Sequence, residues 1–326
     1  MKVLITGGAG FLGRRLAAKL LQRGRLKGAD GGDHRIDQIV LVDVVEGVPF
    51  ADARIRYVVG DISNPDFLAL LFEDAPASIF HLAAIVSGQA EADFELGMRI
   101  NLDASVQLLE LCRQTGHRPK LTFASSVAVY GGDLPAVVLE STALTPLSSY
   151  GTQKAVIELF INDYTRKGFI DGRVLRLPTI CVRPGKPNAA ASSFASGIIR
   201  EPLNGEAAVC PVSAQTRLWL LSPQTAIDAI LFGHEIPSDA LGANRNINLP
   251  GLTITVAQMV AALERVAGAQ VAQRIRWELD PRIERLVSTW PGELEAKRAR
   301  SLGFPGDTDF DAVIRQHLED QRGVPT

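Results

Sequence analysis

Residues 1–13 read MKVLITGGAGFLG, and this stretch decides the fold. Lys2 to Thr6 is short, β-branched and apolar between its ends, the composition of a strand buried on both faces. It passes straight into a glycine cluster. Gly7 suits a tight turn, Gly10 lets the backbone approach a pyrophosphate, and Gly13 lets the next helix pack closely on the strand. That helix, expected from Phe11 and Leu12 onward, directs its unpaired N–H groups at the anion. Leu12, Leu16 and Leu20 repeat every four residues, with Arg14, Arg15 and Lys19 on other faces. Strand, glycine turn and amphipathic helix in this order read as a dinucleotide-binding unit rather than an ordinary strand-to-helix turn.

Residues 24–37 (GRLKGADGGDHRID) are rich in glycine and charge and read as an exposed loop. The next apolar run, QIVLVDVV at 38–45, is a second strand carrying Asp43. A carboxylate at the end of that strand reads the adenosine ribose hydroxyls and repels a 2′-phosphate, so Asp43 selects NAD over NADP. Its alternative is a solvated loop aspartate. Asp43 lies farther from the glycines than the usual twenty or so residues, an excess that the intervening loop explains. A third strand at 56–59 leads into Gly60, Asp61 and Ile62. Asp61 can accept from an adenine amino group or cap the helix expected near Pro65, and the two roles are compatible.

The fourth strand, SIFHLAA at 78–84, ends in Leu82, Ala83 and Ala84, which leave room for a cofactor across the strand tips. The segment IVSGQAEADFELG beyond it is a candidate active-site loop, with Ser87 and Gln89 as substrate donors. Residues 93–116 are helical in period and contain Asn101, a residue disfavoured inside helices. Its side chain therefore either faces solvent or serves a polar network. A fifth strand at 120–124 delivers Ser125 and Ser126. Alternating strands and helices joined by short connections make this an α/β protein with a doubly wound parallel sheet.

Tyr150 and Lys154, in SSYGTQK, stand four apart at the start of a helical run, which puts both on one face. A free tyrosine, with a pKa near 10, is a poor base at neutral pH. A nearby ammonium stabilises the phenolate, so Tyr150 can take a proton from a substrate hydroxyl while hydride leaves the adjacent carbon. Ser126 would hydrogen-bond the reacting oxygen and hold it against Tyr150. The Tyr–Lys spacing alone is unspecific; its place after the fifth strand gives it meaning.

The chain of 326 residues carries 34 basic and 36 acidic side chains, a balance that favours neither nucleic acid nor an anionic membrane. Cys112, Cys181 and Cys210 are scattered and odd in number, as reduced structural thiols are. The five histidines lie far apart without ligand spacing, so no metal is expected and they read as structural or surface residues. Apolar runs fall short of the ~18 residues of a membrane helix, and strand-like sequence begins at residue 2. The expectation is a cytoplasmic protein without a signal peptide or membrane partner.

The glycine turn, Asp43, Asp61, HLAA, Asn101, SSVAVYG and YGTQK together resemble the extended short-chain dehydrogenase/reductase superfamily, along essentially the whole chain. LRLPTICVRPGKPNAAASSFASGIIREPLNG, the GGDLPAVV loop and TRLWLLSP are similar to stretches of its sugar-acid dehydrogenases, which oxidise a four-carbon acid at C2 with NAD. The resemblance implies a Rossmann fold and a catalytic set of Ser126, Tyr150 and Lys154. It implies that Asn101 supports the lysine through a water and that Pro178 and Thr179 face the nicotinamide. It also implies pairing of two copies through the helices bearing Asn101 and Tyr150. Sugar-nucleotide dehydratases of this superfamily place an acidic pair beside the catalytic hydroxyl residue. Val127 and Ala128 stand there instead, which argues against dehydration.

The small-residue segment after Pro178 suits loops that shape a pocket over the nicotinamide. For the carboxylate of a sugar acid, Arg183, Lys186 and Arg217 are candidate partners, joined by Ser87, Thr179, Asn188 and Ser192 as polar donors. Each of these cations has a solvated surface charge as its alternative. Residues 1–178 are expected to form the NAD-binding Rossmann domain, with 218–248 returning to it. Residues 179–217 and 249–326 form a smaller, mostly helical substrate-binding part. The rivals to a sugar-acid dehydrogenase are a sugar-nucleotide epimerase or uronate dehydrogenase using the same residues, and a non-catalytic NAD-sensing module.

Overall fold

The structure is a computed structural model and describes residues 1–185, 190 and 192–323. Its central sheet is built from β1 (Lys2–Thr6), β2 (Gln38–Asp43), β3 (Ile55–Val59), β4 (Ser78–His81), β5 (Lys120–Ser126), β6 (Asp171–Leu177) and β7 (Asn246–Asn248). The order across the sheet is β7-β6-β5-β4-β1-β2-β3, and β1 pairs in parallel with both β2 and β4. The chain winds outward from β1 to β3, then returns to β4 and winds the other way. That reversal is the switch point at which strand ends diverge and a nucleotide is received in doubly wound sheets.

The apolar run of β1 is fully buried at Val3, Leu4 and Ile5, as a central parallel strand requires. Helix α1 (Phe11–Arg23) buries Gly13, Leu16, Ala17 and Leu20, the stripe that its four-residue repeat dictates. Helices α2 (Ala104–Thr115) and α3 (Ser149–Arg166) contribute Leu108, Leu109, Ile157 and Ile161 to a core that also contains Leu4, Val42, Ile79 and Phe123.

Local differences from the sequence expectation have simple causes. Residues 24–37 are not a plain loop: Arg25–Lys27 and Asp33–Arg35 form a small antiparallel hairpin. Leu26 and Ile36 anchor it in the interior. The helical stretch from 93 to 116 is interrupted by a wider π-helical turn at Met98–Asp103, and Asn101 lies within it. Strand β5 continues two residues past Ala124, so Ser125 and Ser126 belong to its end.

The chain divides into two compact units. The first comprises Met1–Ser126, Ser148–Arg176 and Ile227–Ile247; the second comprises Val127–Leu147, Leu177–Ala226 and Asn248–Thr326. The second unit has its own core, including Ile198, Met259, Leu263 and Ile314. These boundaries differ from the expected ones at residues 127–147, 177–178, 218–226 and 248. Residues 127–147 fall in the second unit, where Val138 exchanges backbone hydrogen bonds with Glu293 and Glu295. Residues 218–226 fall there too, and Arg217–Leu221 is the middle strand of a sheet between Thr179–Ile180 and Leu252–Thr255. Among the described residues no helix is long and apolar enough to cross a membrane.

Candidate active site

The glycine turn shows why its glycines are there. Gly7 has φ +71, and a Cβ on it would stand 2.9 Å from the backbone nitrogen of Ala83. A Cβ on Gly13 would stand 2.3 Å from the Gly7 carbonyl oxygen, so only glycine lets α1 approach the turn this closely. Gly10 caps α1 without any side-chain hydrogen bond, and the first turn of the helix has no acidic residue. An anion at this helix end therefore meets backbone N–H groups and a favourable dipole.

Asp43 is tied to this turn. One carboxylate oxygen accepts from the Ala9 N–H at 3.0 Å and the other from the Val44 N–H at 2.8 Å. That fixes the carboxylate beside the phosphate turn, where a ribose diol would meet it. Asp61 does not cap the following helix, Pro65–Leu70. Its carboxylate accepts from the Ser63 N–H and hydroxyl, both at 2.8 Å, and Asn64 supplies the cap through bonds from the Asp66 and Phe67 N–H groups. Ile62 is buried. Leu82, Ala83 and Ala84 are half-buried, with Leu82 and Ala83 bonded back to Thr6.

A directional hydrogen-bond chain links this end of the unit to α3. The Ala83 N–H donates to Thr6 Oγ1, which lies 2.7 Å from His81 Nδ1. His81 Nε2 lies 2.9 Å from Ser105 Oγ, and that hydroxyl donates to the Asn101 carbonyl at 2.7 Å. Because Ser105 spends its proton on Asn101, it accepts from Nε2–H, and Nδ1 accepts from Thr6. His81 is thus neutral; burial, aided by the Lys154 cation, pushes its pKa down to about 3.

Asn101 resolves the choice left open by the sequence in favour of a polar network. Its Oδ1 accepts from the Ile85 N–H at 2.8 Å, while Nδ2 donates to the Ile85 carbonyl at 3.1 Å and to Gln153 Oε1 at 2.7 Å. Both amide protons are engaged, so a water joining Asn101 to the lysine would donate to an Asn101 oxygen rather than accept from its amide.

Ser148 caps α3 by accepting from the Gly151 N–H at 3.1 Å, which places Tyr150 in the first helical turn and half-buries it. Lys154 follows one turn later, with Nζ 5.6 Å from the centre of the Tyr150 ring. The ammonium donates to the Ala124 carbonyl at 2.8 Å and lies 4.4 Å from the centre of the Phe123 ring. Burial lowers the pKa of Lys154 to about 7, against the opposing pull of the Glu158 carboxylate. Ser126, two residues beyond Ala124 on β5, is half-buried. Ser125 plays a different part: it is buried and donates to Glu158 Oε1 at 2.5 Å. Glu158 is also paired with Arg176 at 2.5 Å.

Of the remaining sequence candidates, Ser87 begins a helix, Ser87–Ala92, in the first unit. Pro178, Thr179, Arg183, Ser192 and Arg217 belong to the second. Pro178 is buried, and Thr179 pairs with Leu220. Arg183 is half-buried, its backbone held by Ser196 and Arg200. Ser192 precedes the helix Ser193–Leu203. Arg217 is exposed, paired with Glu293 at 2.7 Å, on the wall of a cavity of about 460 Å³ that Asp133, Thr289 and Trp290 also line. Lys186 and Asn188 lie outside the described residues. Sequence reasoning missed Thr6, His81, Ser105 and Gln153. The signal for Gln153 is a polar residue on the buried face of the helix, inside the very motif that supplies Tyr150 and Lys154.

A parallel sheet with a glycine turn after its first strand, a carboxylate tied to that turn and a Tyr–Lys pair one helical turn apart defines a class, and the family comparison agrees. The profile of the NAD dependent epimerase/dehydratase family matches residues 3–228, and the chain belongs to that family. Among individual proteins, the chain is similar to a D-erythronate dehydrogenase of Cupriavidus necator, 59% identical over 98% of both chains. It is 48% identical to a D-erythronate dehydrogenase of Haemophilus influenzae, covering 98% of this chain and 99% of the relative. A crystal structure described as a nucleoside-diphosphate-sugar epimerase from Agrobacterium tumefaciens superposes with a TM-score of 0.94 at 43% identity, covering 99% of this chain and 95% of that one.

Proposed function

We propose that this protein oxidises D-erythronate, or a closely similar small 2-hydroxy sugar acid, to the 2-keto acid with NAD. The observation that carries the reading is the pairing of Tyr150 with the buried, Ala124-anchored Lys154 one helical turn away, with Ser126 on the strand end that holds the lysine. The near-full-length similarity to two D-erythronate dehydrogenases supplies the substrate class.

The residues fit the cofactor. Gly7, Gly10 and Gly13, with the backbone of Phe11 and Leu12, form a cradle for the pyrophosphate at a helix end that has no side-chain cap. Asp43 takes the ribose hydroxyls and disfavours NADP, and Asp61 and Ile62 flank the adenine. Leu82, Ala83 and Ala84 line the strand tips, and Pro178 and Thr179 face the nicotinamide. NAD, when bound, supplies the hydride acceptor for C2.

Tyr150 removes the proton of the C2 hydroxyl, and Ser126 donates a hydrogen bond to the same oxygen. Lys154 stabilises the phenolate by its charge, which a dry setting strengthens. Ser87, Thr179, Asn188 and Ser192 bind substrate hydroxyls, and Arg183 or Arg217 the carboxylate, so the second unit is the substrate-binding part. In this reading the protein works in the cytoplasm as a homodimer through the helices bearing Asn101 and Tyr150. On that helical layer Leu159 is 67% and Phe94 60% exposed, apolar surface that a second copy would cover. A monomeric mass by light scattering would remove the dimer.

A second reading, a sugar-nucleotide epimerase, is favoured by the description of the Agrobacterium structure. The decisive test is NADH absorbance on mixing the protein with NAD and a panel of four- to six-carbon sugar acids. Accumulation of NADH with D-erythronate is expected. Absence of NADH with every acid, together with epimerised sugar nucleotide and no net change in NAD, would replace the first reading by the second.

A further inference from the structure

Gln153 sits between Tyr150 and Lys154 in sequence and is only 2% exposed. Its orientation is dictated from outside. The Ile85 backbone presents one N–H and one carbonyl to Asn101, which fixes which end of the Asn101 amide is Oδ1 and which is Nδ2. Nδ2 then has one proton left, and Gln153 must offer Oε1 to it, at 2.7 Å. Gln153 Nε2 consequently points away. It is buried and has no hydrogen-bond partner among the described residues. Space is tight around it, because a Cβ added to Gly97 would stand 2.8 Å from that nitrogen.

A buried amide with one end unsatisfied is a standing cost, tolerated where the satisfied end does something needed. Here the satisfied end closes the chain Thr6–His81–Ser105–Asn101–Gln153, which runs from the residue before the phosphate turn to the helix that carries Tyr150 and Lys154. It also holds Ile85, just beyond the strand tip whose Ala83 backbone packs on Gly7.

We propose that Gln153 is a positioning residue that, through Asn101, fixes the 82–88 segment relative to the first turns of the helix bearing Tyr150 and Lys154. This rests on the proposed dehydrogenase reading for its kinetic arm only. The hydrogen-bond arm stands without it.

The test compares Gln153→Met, which keeps the side-chain length and removes the acceptor, with Gln153→Glu, which keeps an acceptor for Asn101. Gln153→Met removes one orphaned donor and leaves one Asn101 proton unpaired, so its melting temperature should stay close to wild type. Amide hydrogen exchange of the 82–88 segment, read by mass spectrometry on the ligand-free protein, should accelerate about tenfold in Gln153→Met and stay near wild type in Gln153→Glu. With NAD and D-erythronate, kcat should fall about tenfold in Gln153→Met with KM within about twofold, and Gln153→Glu should recover most of it. Unchanged exchange in Gln153→Met, or equal kcat in all three proteins, overturns the proposal. A wild-type protein that turns over no sugar acid refutes the dehydrogenase reading instead and leaves the exchange comparison to decide Gln153.

Discussion

Replacing Lys154 with methionine should stabilise the protein in mild acid while removing its turnover. The lysine amine is buried, and its pKa falls from 10.5 to about 7 because burial penalises the charged form. At about 1.36 kcal/mol per pH unit, carrying that charge in the fold costs roughly 5 kcal/mol. The methionine leaves the Ala124 carbonyl without its donor, a loss of about 1–3 kcal/mol. The balance at about pH 6 is a variant more stable by roughly 2–4 kcal/mol, a rise in Tm on the order of 10 °C for a unit of this size. The sign of the pH dependence follows from the lowered pKa. Between about pH 7 and 10.5 the unfolded chain holds a proton that the folded lysine has released, so wild-type stability rises with pH through that window. Below it the penalty is complete, and above it the penalty is gone. The advantage of the variant should therefore shrink by about 2 kcal/mol between about pH 7 and pH 9. Calorimetry on both proteins across this range isolates the lysine, and NADH formation should drop about 10²–10⁴-fold. A variant less stable than wild type at about pH 6, or an advantage independent of pH, would refute the electrostatic account of this lysine.

Tyr150→Phe removes only the phenol oxygen, so NADH binding by fluorescence should persist while kcat falls about 10²–10⁴-fold; retained turnover would assign the base elsewhere. Ser125 and Ser126 should separate cleanly: Ser126→Ala lowers kcat about 10²-fold or more, whereas Ser125→Ala, which unsatisfies Glu158, costs about 1–3 kcal/mol in denaturation and little in kcat. Asp43→Ala removes the acceptor for Ala9 and Val44 and, on the proposed reading, the charge that would repel a 2′-phosphate. NAD affinity by calorimetric titration should fall about tenfold and the preference over NADP should narrow; an unchanged preference would move cofactor selection away from Asp43.

The glycine turn was legible because Gly7 and Gly13 answer steric demands that no other residue meets, and sequence displays those demands directly. The Tyr150–Lys154 pair was legible for a related reason: helical spacing converts a sequence interval into a shared face. Residues 24–37 misled because their polarity describes the hairpin surface, while only Leu26 and Ile36 reveal that the segment is pinned down. Asp61 misled because two residues, Asp61 and Asn64, both offer a cap before Pro65, and only geometry decides which oxygen reaches the helix N–H groups. The chain through His81 and Gln153 was invisible because all its links but the Ser105–Asn101 bond join residues 24 to 75 positions apart. Such pairings depend on which strand lies beside which, and no local period encodes them.

The buried charges around α3 explain how Lys154 comes to lie near neutrality rather than in a salt bridge. Glu158 is one turn beyond Lys154 and fully buried, so an unopposed carboxylate there would hold the ammonium in a close pair and raise its pKa. Arg176 prevents this. Its Nε and Nη2 both reach the Glu158 carboxylate, at 3.0 and 2.5 Å, and Ser125 and Asn246 occupy further lone pairs. With its charge matched by Arg176, Glu158 offsets only part of the desolvation of Lys154, and the lysine turns instead to a neutral acceptor, the Ala124 carbonyl. An ion pair of this kind adds little net stability when weighed against an apolar pair of the same volume. What it contributes is a lysine whose ammonium, among the described residues, is bonded to no carboxylate and stands beside the Tyr150 ring.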